Sequence, residues 1–473
     1  MFNNIAGQKF FYILCFFLGI SNLGLTQTDS LLTISGFQFA DLVKTKEWYL
    51  LREIRYESGD TFRFKDLQKV SLQIESDLRK TNLFTYIKIQ PLIDYADKNF
   101  VSFSIEVHEN WFIYPSLIAE LADRNFNVWW NEYNRSLKRI NLGLALQHIN
   151  FTGVNDDFQV KYHFGYTNRF VLKYLRPALS KKSKFGIGLA YYYTEYKETP
   201  VISQNNKQIF VKDGSNPLFI KREITANALF KFNKFWNFEL ASGHHHNSFQ
   251  NIFSKTYPDF FLNAAEQQVY TQFTLLAQFA NLDHRLRPSR GFLTTSSLRQ
   301  VGIPIWQAYN FTSFSQDIKA ARKIGKHFYM ETAFSGRVGI NRAKRPYNLY
   351  KGLGYSDTNI SGYELYVIDG LDYFYLNNQI RFHLTSLQWN FFRILKNEPI
   401  LRIKTDIDIS LQGNMAYVND PFFNEQNDLV NTMLYSTGIG LNFTVNDLVE
   451  FNVYYSINHI SERGLYFHTR RAF

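Results

Sequence analysis

From Ile113 onward the chain alternates, and that alternation limits what it can become. Tyr435, Thr437, Ile439, Leu441, Phe443 and Val445 fall on one parity, and Ser436, Gly438, Gly440, Asn442, Thr444 and Asn446 on the other. Phe451, Val453, Tyr455 and Ile457 oppose Asn452, Tyr454, Ser456 and Asn458 in the same way. Leu401, Ile403, Thr405, Ile407 and Ile409 oppose Arg402, Lys404, Asp406, Asp408 and Ser410. A period of two is a strand with unlike faces, because successive side chains leave a pleated backbone in opposite directions. Aromatic residues make up 18% of the chain and charged residues 20%, which excludes a disordered chain. Mean hydropathy is −0.26, which excludes a bundle of membrane helices. A soluble sandwich also alternates, but here the polar parity carries charges and many small residues. A closed transmembrane barrel satisfies all of this: lipid meets the apolar face, water fills a polar lumen, and no strand edge is left in hydrocarbon. Abundant Tyr, Phe and Trp supply the interfacial girdles.

Sixteen segments carry the pattern, near 113–121, 139–149, 157–166, 169–176, 184–196, 219–231, 236–247, 268–281, 291–301, 310–323, 327–339, 376–386, 401–411, 432–445, 449–458 and 464–473. The count is even, as such barrels require. The longer connections, near 198–218, 248–267, 340–375 and 412–431, are expected outside the cell, and tight turns such as Asn446-Asp447 on the periplasmic side.

The N-terminus reads as a secretory signal over residues 1–26: Lys9, an apolar core from Phe10 to Ile20, then small and polar residues. Cys15, the single cysteine, lies in that core, so the exported chain is expected to contain no disulfide. Residues 31–109 form a separate small α/β unit. Leu32–Phe37 reads as a strand and Lys46–Arg55 as a helix. Phe64–Lys80 repeats Leu67, Val70, Ile74 and Leu78 at helical spacing. Two alternating strands follow, at Tyr86–Gln90 and Phe100–Val107.

Several residues in this unit carry a resemblance: Ile34-x-Gly36, Leu50-Leu51-Arg52-Glu53, Gly59-Asp60, and Asn82-Leu83-Phe84 ahead of Ile87. Together they resemble a POTRA domain, the periplasmic module of the BamA-like superfamily of outer-membrane assembly and translocation factors. The 113–473 segment adds two stretches. Asp283, Arg285, Pro288 and Gly291 match that superfamily's Asp-x-Arg-x-x-Pro-x-x-Gly turn, with Asp283 and Arg285 as an expected pair. Gly352–Tyr363 resembles the loop that folds back into the lumen, whose Val-Arg-Gly-Phe/Tyr tip meets acidic wall residues. Here Ser361 stands in the Arg position, while Gly362 and Tyr363 match. A Ser cannot make the charge-assisted bonds of an Arg. Asp406 and Asp408 are the expected acidic lumen wall, with Arg381 a candidate partner. The last strand carries Gly464 and Phe467 and ends in Phe473; its terminal aromatic resembles the signal by which outer-membrane barrels are recognised for assembly.

The expected fold is therefore mainly β: a 16-stranded antiparallel transmembrane barrel preceded by one POTRA-like domain. The resemblance implies insertion or translocation of proteins at the bacterial outer membrane. Clients would be unfolded barrel or secreted proteins, and partners periplasmic or lipoprotein accessory factors. A passive pore or a dedicated passenger exporter is the alternative. Enzyme motifs are absent, and no cofactor or metal is expected: His244-His245-His246 lie on a strand, where neighbours point to opposite faces. The net charge of +11 comes without a basic block or a nucleic-acid-binding fold. It fits attraction to anionic outer-membrane lipid or lipopolysaccharide instead.

Overall fold

The computed structural model describes residues 30–94, 99–180, 183–214, 216–233, 235–303, 309–355, 358–390 and 402–471. The expected signal, Leu401 and Phe473 lie outside them. The chain divides into two compact units between Trp111 and Phe112.

The first unit contains β1 (Leu31–Ala40), α1 (Glu47–Glu53), β2 (Thr61–Arg63), α2 (Leu67–Arg79), β3 (Phe84–Ile93) and β4 (Phe100–Glu109). The sheet order is β2-β1-β4-β3, with β1 and β4 parallel and the other pairs antiparallel. The spacing read from sequence places Val70, Ile74 and Leu78 on the buried face of α2. Leu32, Ile34, Val101, Phe103, Ile105 and Val107 are buried on the sheet. Each such side chain contributes about 1.5–3 kcal/mol on leaving water. Arg55, just past α1, forks onto Asp77 of α2 at 2.6 and 2.7 Å, tying the two helices together. The Gly59-Asp60 turn closes onto β1 through Gly59 N–H to Ile34 O at 2.8 Å and Ile34 N–H to Asp60 O at 2.9 Å. Gly59 sits at φ +99°, which is why a glycine precedes this aspartate. β3 is one edge of this sheet and β2, only three residues long, the other.

The second unit is a sixteen-stranded antiparallel sheet in chain order. Its strands are β5 (Ile113–Leu121), β6 (Ile140–Ile149), β7 (Asp157–Gly165), β8 (Thr167–Arg176), β9 (Phe185–Tyr196), β12 (Phe219–Lys231), β13 (Trp236–Phe249) and β14 (Gln267–Ala280), followed by β15 (Arg290–Val301), β16 (Phe311–Ile324), β17 (Phe328–Gly339), β18 (Asp372–Asn390), β19 (Arg402–Asn419), β20 (Met433–Val445), β21 (Val449–Asn458) and β22 (Arg463–Arg471). All sixteen stand where the alternation puts them. β18 and β19 run well past their expected ends, and the connection expected at 198–218 holds a further hairpin, β10 (Glu198–Gln204) and β11 (Lys207–Lys212).

Parity sorts the two faces. Leu144, Leu189, Leu240, Leu275, Ile439, Leu441, Tyr455 and Leu465 are exposed on the outer wall. Ser436, Asn442, Thr444, Glu450, Asn452 and Ser456 are buried inside. One rim carries an aromatic belt: Phe185–Phe230 ring centres are 4.9 Å apart, Phe230–Phe238 6.2 Å, Trp236–Phe279 5.2 Å, Phe279–Phe292 6.3 Å and Phe328–Phe382 5.0 Å. These rings lie at the strand ends opposite the long connections, at the level where aromatic side chains bridge lipid tails and headgroups.

Candidate functional site

The connection between β17 and β18 turns inward and covers one lumenal wall. Its apolar residues Leu353, Ile360, Tyr363 and Ile368 join Ala416, Val418, Leu429, Val430 and Leu434 in a buried cluster. At the tip the contacts to the barrel wall are neutral. The Ser361 and Ser456 hydroxyls lie 2.7 Å apart, Gln412 donates to Ser361 Oγ, and Ser436 donates to the Ser361 carbonyl. Asn458 donates to Gly362 O at 2.8 Å, and the Tyr363 hydroxyl donates to Tyr435 O at 3.0 Å. Gly362 sits at φ +88°, and a Cβ there would lie 3.1 Å from Ser436 Cβ. Neutral bonds of this kind contribute about 1 kcal/mol each, against about 1.5–3 kcal/mol for the charged bonds an Arg would make. Number and apolar burial replace the missing guanidinium.

Arg381 does not meet Asp406 or Asp408, contrary to the sequence expectation. Its Nη1 donates to Glu450 Oε2 at 2.6 Å, with Glu331 at 3.7 Å on its other side. Arg470 reaches the second Glu450 oxygen at 3.2 Å, and Lys319 reaches Glu331 at 3.0 Å. Arg381 stands opposite Ser410, one inward position from Asp408, but Asp408 is already held by two other bases and the Arg381 side chain reaches Glu450 instead. Asp408 is bound instead by Arg287, at 2.7 and 2.9 Å, from the turn before β15, and by His383 Nδ1 at 2.9 Å. Asp406 takes Lys404 at 2.9 Å and the Ser386 hydroxyl.

The same turn departs from expectation at its start. The Asp283 carboxylate accepts from the Ser289 hydroxyl and from the backbone N–H groups of His284, Ser289 and Arg290, not from Arg285. Burial alone would raise this carboxyl; those bonds hold it below its ordinary value. Pro288 lies in the turn, and Gly291 at φ +112° restarts the strand. Arg287, which sequence reasoning passed over, is the residue that reaches the lumen.

The barrel closes where β5 meets β22. Among the described residues these strands share no ladder. Closure comes from α3 (Phe126–Asn131), just after β5. The Asn127 side chain donates to Phe467 O at 3.1 Å and accepts from Phe467 N–H at 2.9 Å, so one carboxamide stands in for a paired peptide. Phe126 packs edge-on against Phe467 at 5.6 Å. The segment is held from the other side by the lumenal loop: Arg124 donates to Gly354 O and Tyr366 O, both at 2.7 Å, and Asn125 donates to Glu364 O at 2.9 Å. Glu364 lies 3.0 Å from His468 Nε2 on β22. Loop, short helix and last strand form one network. Gly464 stands opposite Ser456 near the top of that strand.

The β10–β11 hairpin spans the mouth. It leaves between the fifth and sixth barrel strands, and its Asn206 bonds to Asn427 and Leu429 between the thirteenth and fourteenth. In a ring of sixteen those places are diametrically opposed. Asn206 O also accepts from Val367 N–H of the lumenal loop at 2.8 Å.

The three adjacent histidines do not converge: His245 points to the face opposite that of His244 and His246. His245 lies opposite Glu223, with Nδ1 3.6 Å from Oε2, while His244 neighbours Thr271 on the other side. Asp41, Glu106 and His108 bring ligand atoms within 4.8 Å of one another in the first unit, where Asp41 and His108 are solvent-exposed.

No protein-family model matches the sequence, and no curated protein sequence does. Solved structures do. BamA from Haemophilus ducreyi lacking POTRA domains 1–3 superposes over 93% of this chain and 85% of its own, with a TM-score of 0.56 and 10% identity. The fold is that of BamA. CdiB from Escherichia coli matches over 93% of this chain and 75% of its own, with a TM-score of 0.55 and 11% identity. CdiB from Acinetobacter baumannii matches over 93% and 73%, with a TM-score of 0.50 and 10% identity. The likeness covers most of this chain with little residue identity. Within that fold, Ser361 and the Arg287–Asp408 pair mark how this chain fastens its lumen.

Proposed function

We propose that this protein inserts or translocates polypeptides at the bacterial outer membrane through the β5–β22 seam. One observation carries the reading: the ring is finished by the Asn127 side chain on Phe467, where every other barrel strand has a ladder on both sides. Backbone groups on a strand edge are strong, obligatory hydrogen-bonding partners, and in lipid they must find protein. A client strand that displaces Asn127 offers them a full ladder. The first unit lies in the periplasm in this reading, and its β3 edge captures extended client segments by strand addition. Clients are unfolded barrel or secreted proteins, assisted by periplasmic or lipoprotein factors, and anionic lipid or lipopolysaccharide surrounds the outer wall. The mechanism is exchange of hydrogen bonds, with no chemical step. The inward loop and the hairpin across the mouth argue against a wide passive pore.

Cysteines at positions 127 and 467, oxidised to a disulfide, test the seam. Insertion of a barrel client into liposomes should stop on oxidation and return on reduction. Equal rates in both states would remove the seam from the mechanism.

A further inference from the structure

The two lumenal walls differ in charge. Arg169 on β8 and Lys221 on β12 lie in one cross-strand row with Asn247 and Gln268. That row faces inward, because Asn247 and Gln268 are buried and Gln268 exchanges hydrogen bonds with Asn348 of the inward loop. By the same parity Lys161 on β7, Lys173 on β8 and Arg299 on β15 also face the lumen. Among the described residues, none of these five has a carboxylate within ion-pair distance. Opposite them, Lys319, Arg381 and Arg470 are all paired.

The basic wall is wet. Arg169 and Arg299 are exposed, and Lys161, Lys173 and Lys221 half-buried. Arg169 and Lys173 flank the Tyr192 ring at 5.8 and 5.3 Å. The carboxylate among them is Glu223, which feels Lys221, Arg169 and Lys173 and already sits beside His245. Asp157 and Glu239 lie at the other end of the wall, bonded by Gln147 and Asn227. Elsewhere the inward charges are paired, as in Lys319–Glu331 and Arg381–Glu450, and stand among Ser, Asn and Gly. Like charges fixed on one side of a low-dielectric tube focus a field that concentrates anions and repels cations, and Arg or Lys linings select anions in pores.

We propose that the lumen beside the loop is an anion path, admitting small hydrated anions of the chloride and phosphate class. The inference stands on charge placement alone and is independent of client insertion. The full chain reconstituted in phosphatidylcholine bilayers tests it, through the zero-current potential under a potassium chloride gradient. Chloride should be favoured over potassium by about threefold or more, and millimolar inorganic phosphate should lower the chloride current. Arg169→Gln with Lys221→Gln should bring the ratio toward one, and Glu223→Gln should raise it. A cation preference, no preference, a ratio indifferent to these substitutions, or a protein that passes no current would each overturn the proposal.

Discussion

The β17–β22 wall and the β7–β15 wall are built from the same alternation, yet their inward faces do opposite work. On the first, inward residues are covered: Gln379, Arg381, Asp408, Asn442, Glu450 and Asn452 are all buried, and each has partners within the protein. On the second, inward cations are exposed or half-buried and, among the described residues, have no carboxylate within ion-pair distance. The difference lies in what faces each wall: the loop tip covers the first, whereas on the second the loop meets residues near the mouth such as Gln268 and the cations are exposed or half-buried. Covered charge becomes a structural joint whose loss is costly, whereas hydrated charge leaves folding largely unaffected and is available to ions.

The sharpest way to break that comparison is to cut the covered network. Glu450→Ala takes the close carboxylate from both Arg381 and Arg470, leaving Arg381 the longer contact to Glu331, and breaking a buried pair costs about 3–5 kcal/mol. Denaturant unfolding in detergent should show a loss of that size, and a loss below about 1 kcal/mol would place Glu450 with the hydrated groups. A smaller effect is expected at the loop tip. Gly362→Ala forces a side chain into a left-handed backbone against Ser436, a strain of about 1–3 kcal/mol. Protease access to the 352–363 segment and the frequency of channel openings should both rise. The seam comes next: Asn127→Ala removes two bonds to Phe467 for about 1–2 kcal/mol, read as faster hydrogen exchange at the Phe467 amide.

Outside the barrel, the first unit offers its own covered charge. The Asp77 side chain is 8% exposed and that of Arg55 38%. Burial alone would raise the Asp77 carboxyl, but the Arg55 guanidinium overrides it and holds the group below its ordinary value. A depressed carboxyl stabilises fully above the unfolded value near about 3.9 and loses that contribution as pH falls through the folded one. Arg55→Ala should cost about 1–2 kcal/mol at neutral pH, discounted for the exposed partner, and the gap should close in acid. The smallest effect belongs to the open wall, where Lys221→Gln should move stability by less than about 0.5 kcal/mol while shifting ion preference.

Much of this was legible before any coordinates. Alternation placed every barrel strand, and parity put Asp406 and Asp408 inside. Parity alone does not say which of several inward acids a base will take, so it offers Arg381 to Asp406 and Asp408 and passes over Arg287, which reaches Asp408 from a turn. Arg470 was readable, because it shares parity with Tyr466 and His468 on the final strand. The β10–β11 hairpin was hidden by its short polar runs and Pro200, although Asn205-Asn206, both at positive φ, form the kind of two-residue turn that joins such strands. Nothing local marked Asn127: a six-residue helix has weak periodicity, and the meaning of its carboxamide depends on a strand 340 residues away.

The Asn127 clasp sets how the ring can part. Two strands joined by a ladder separate by unzipping and can rejoin shifted by one residue, with every side chain on the wrong face. A carboxamide works as a hook through one eye: together with the ring contact beside it it has one place to return to, so each cycle of opening ends in the same alignment.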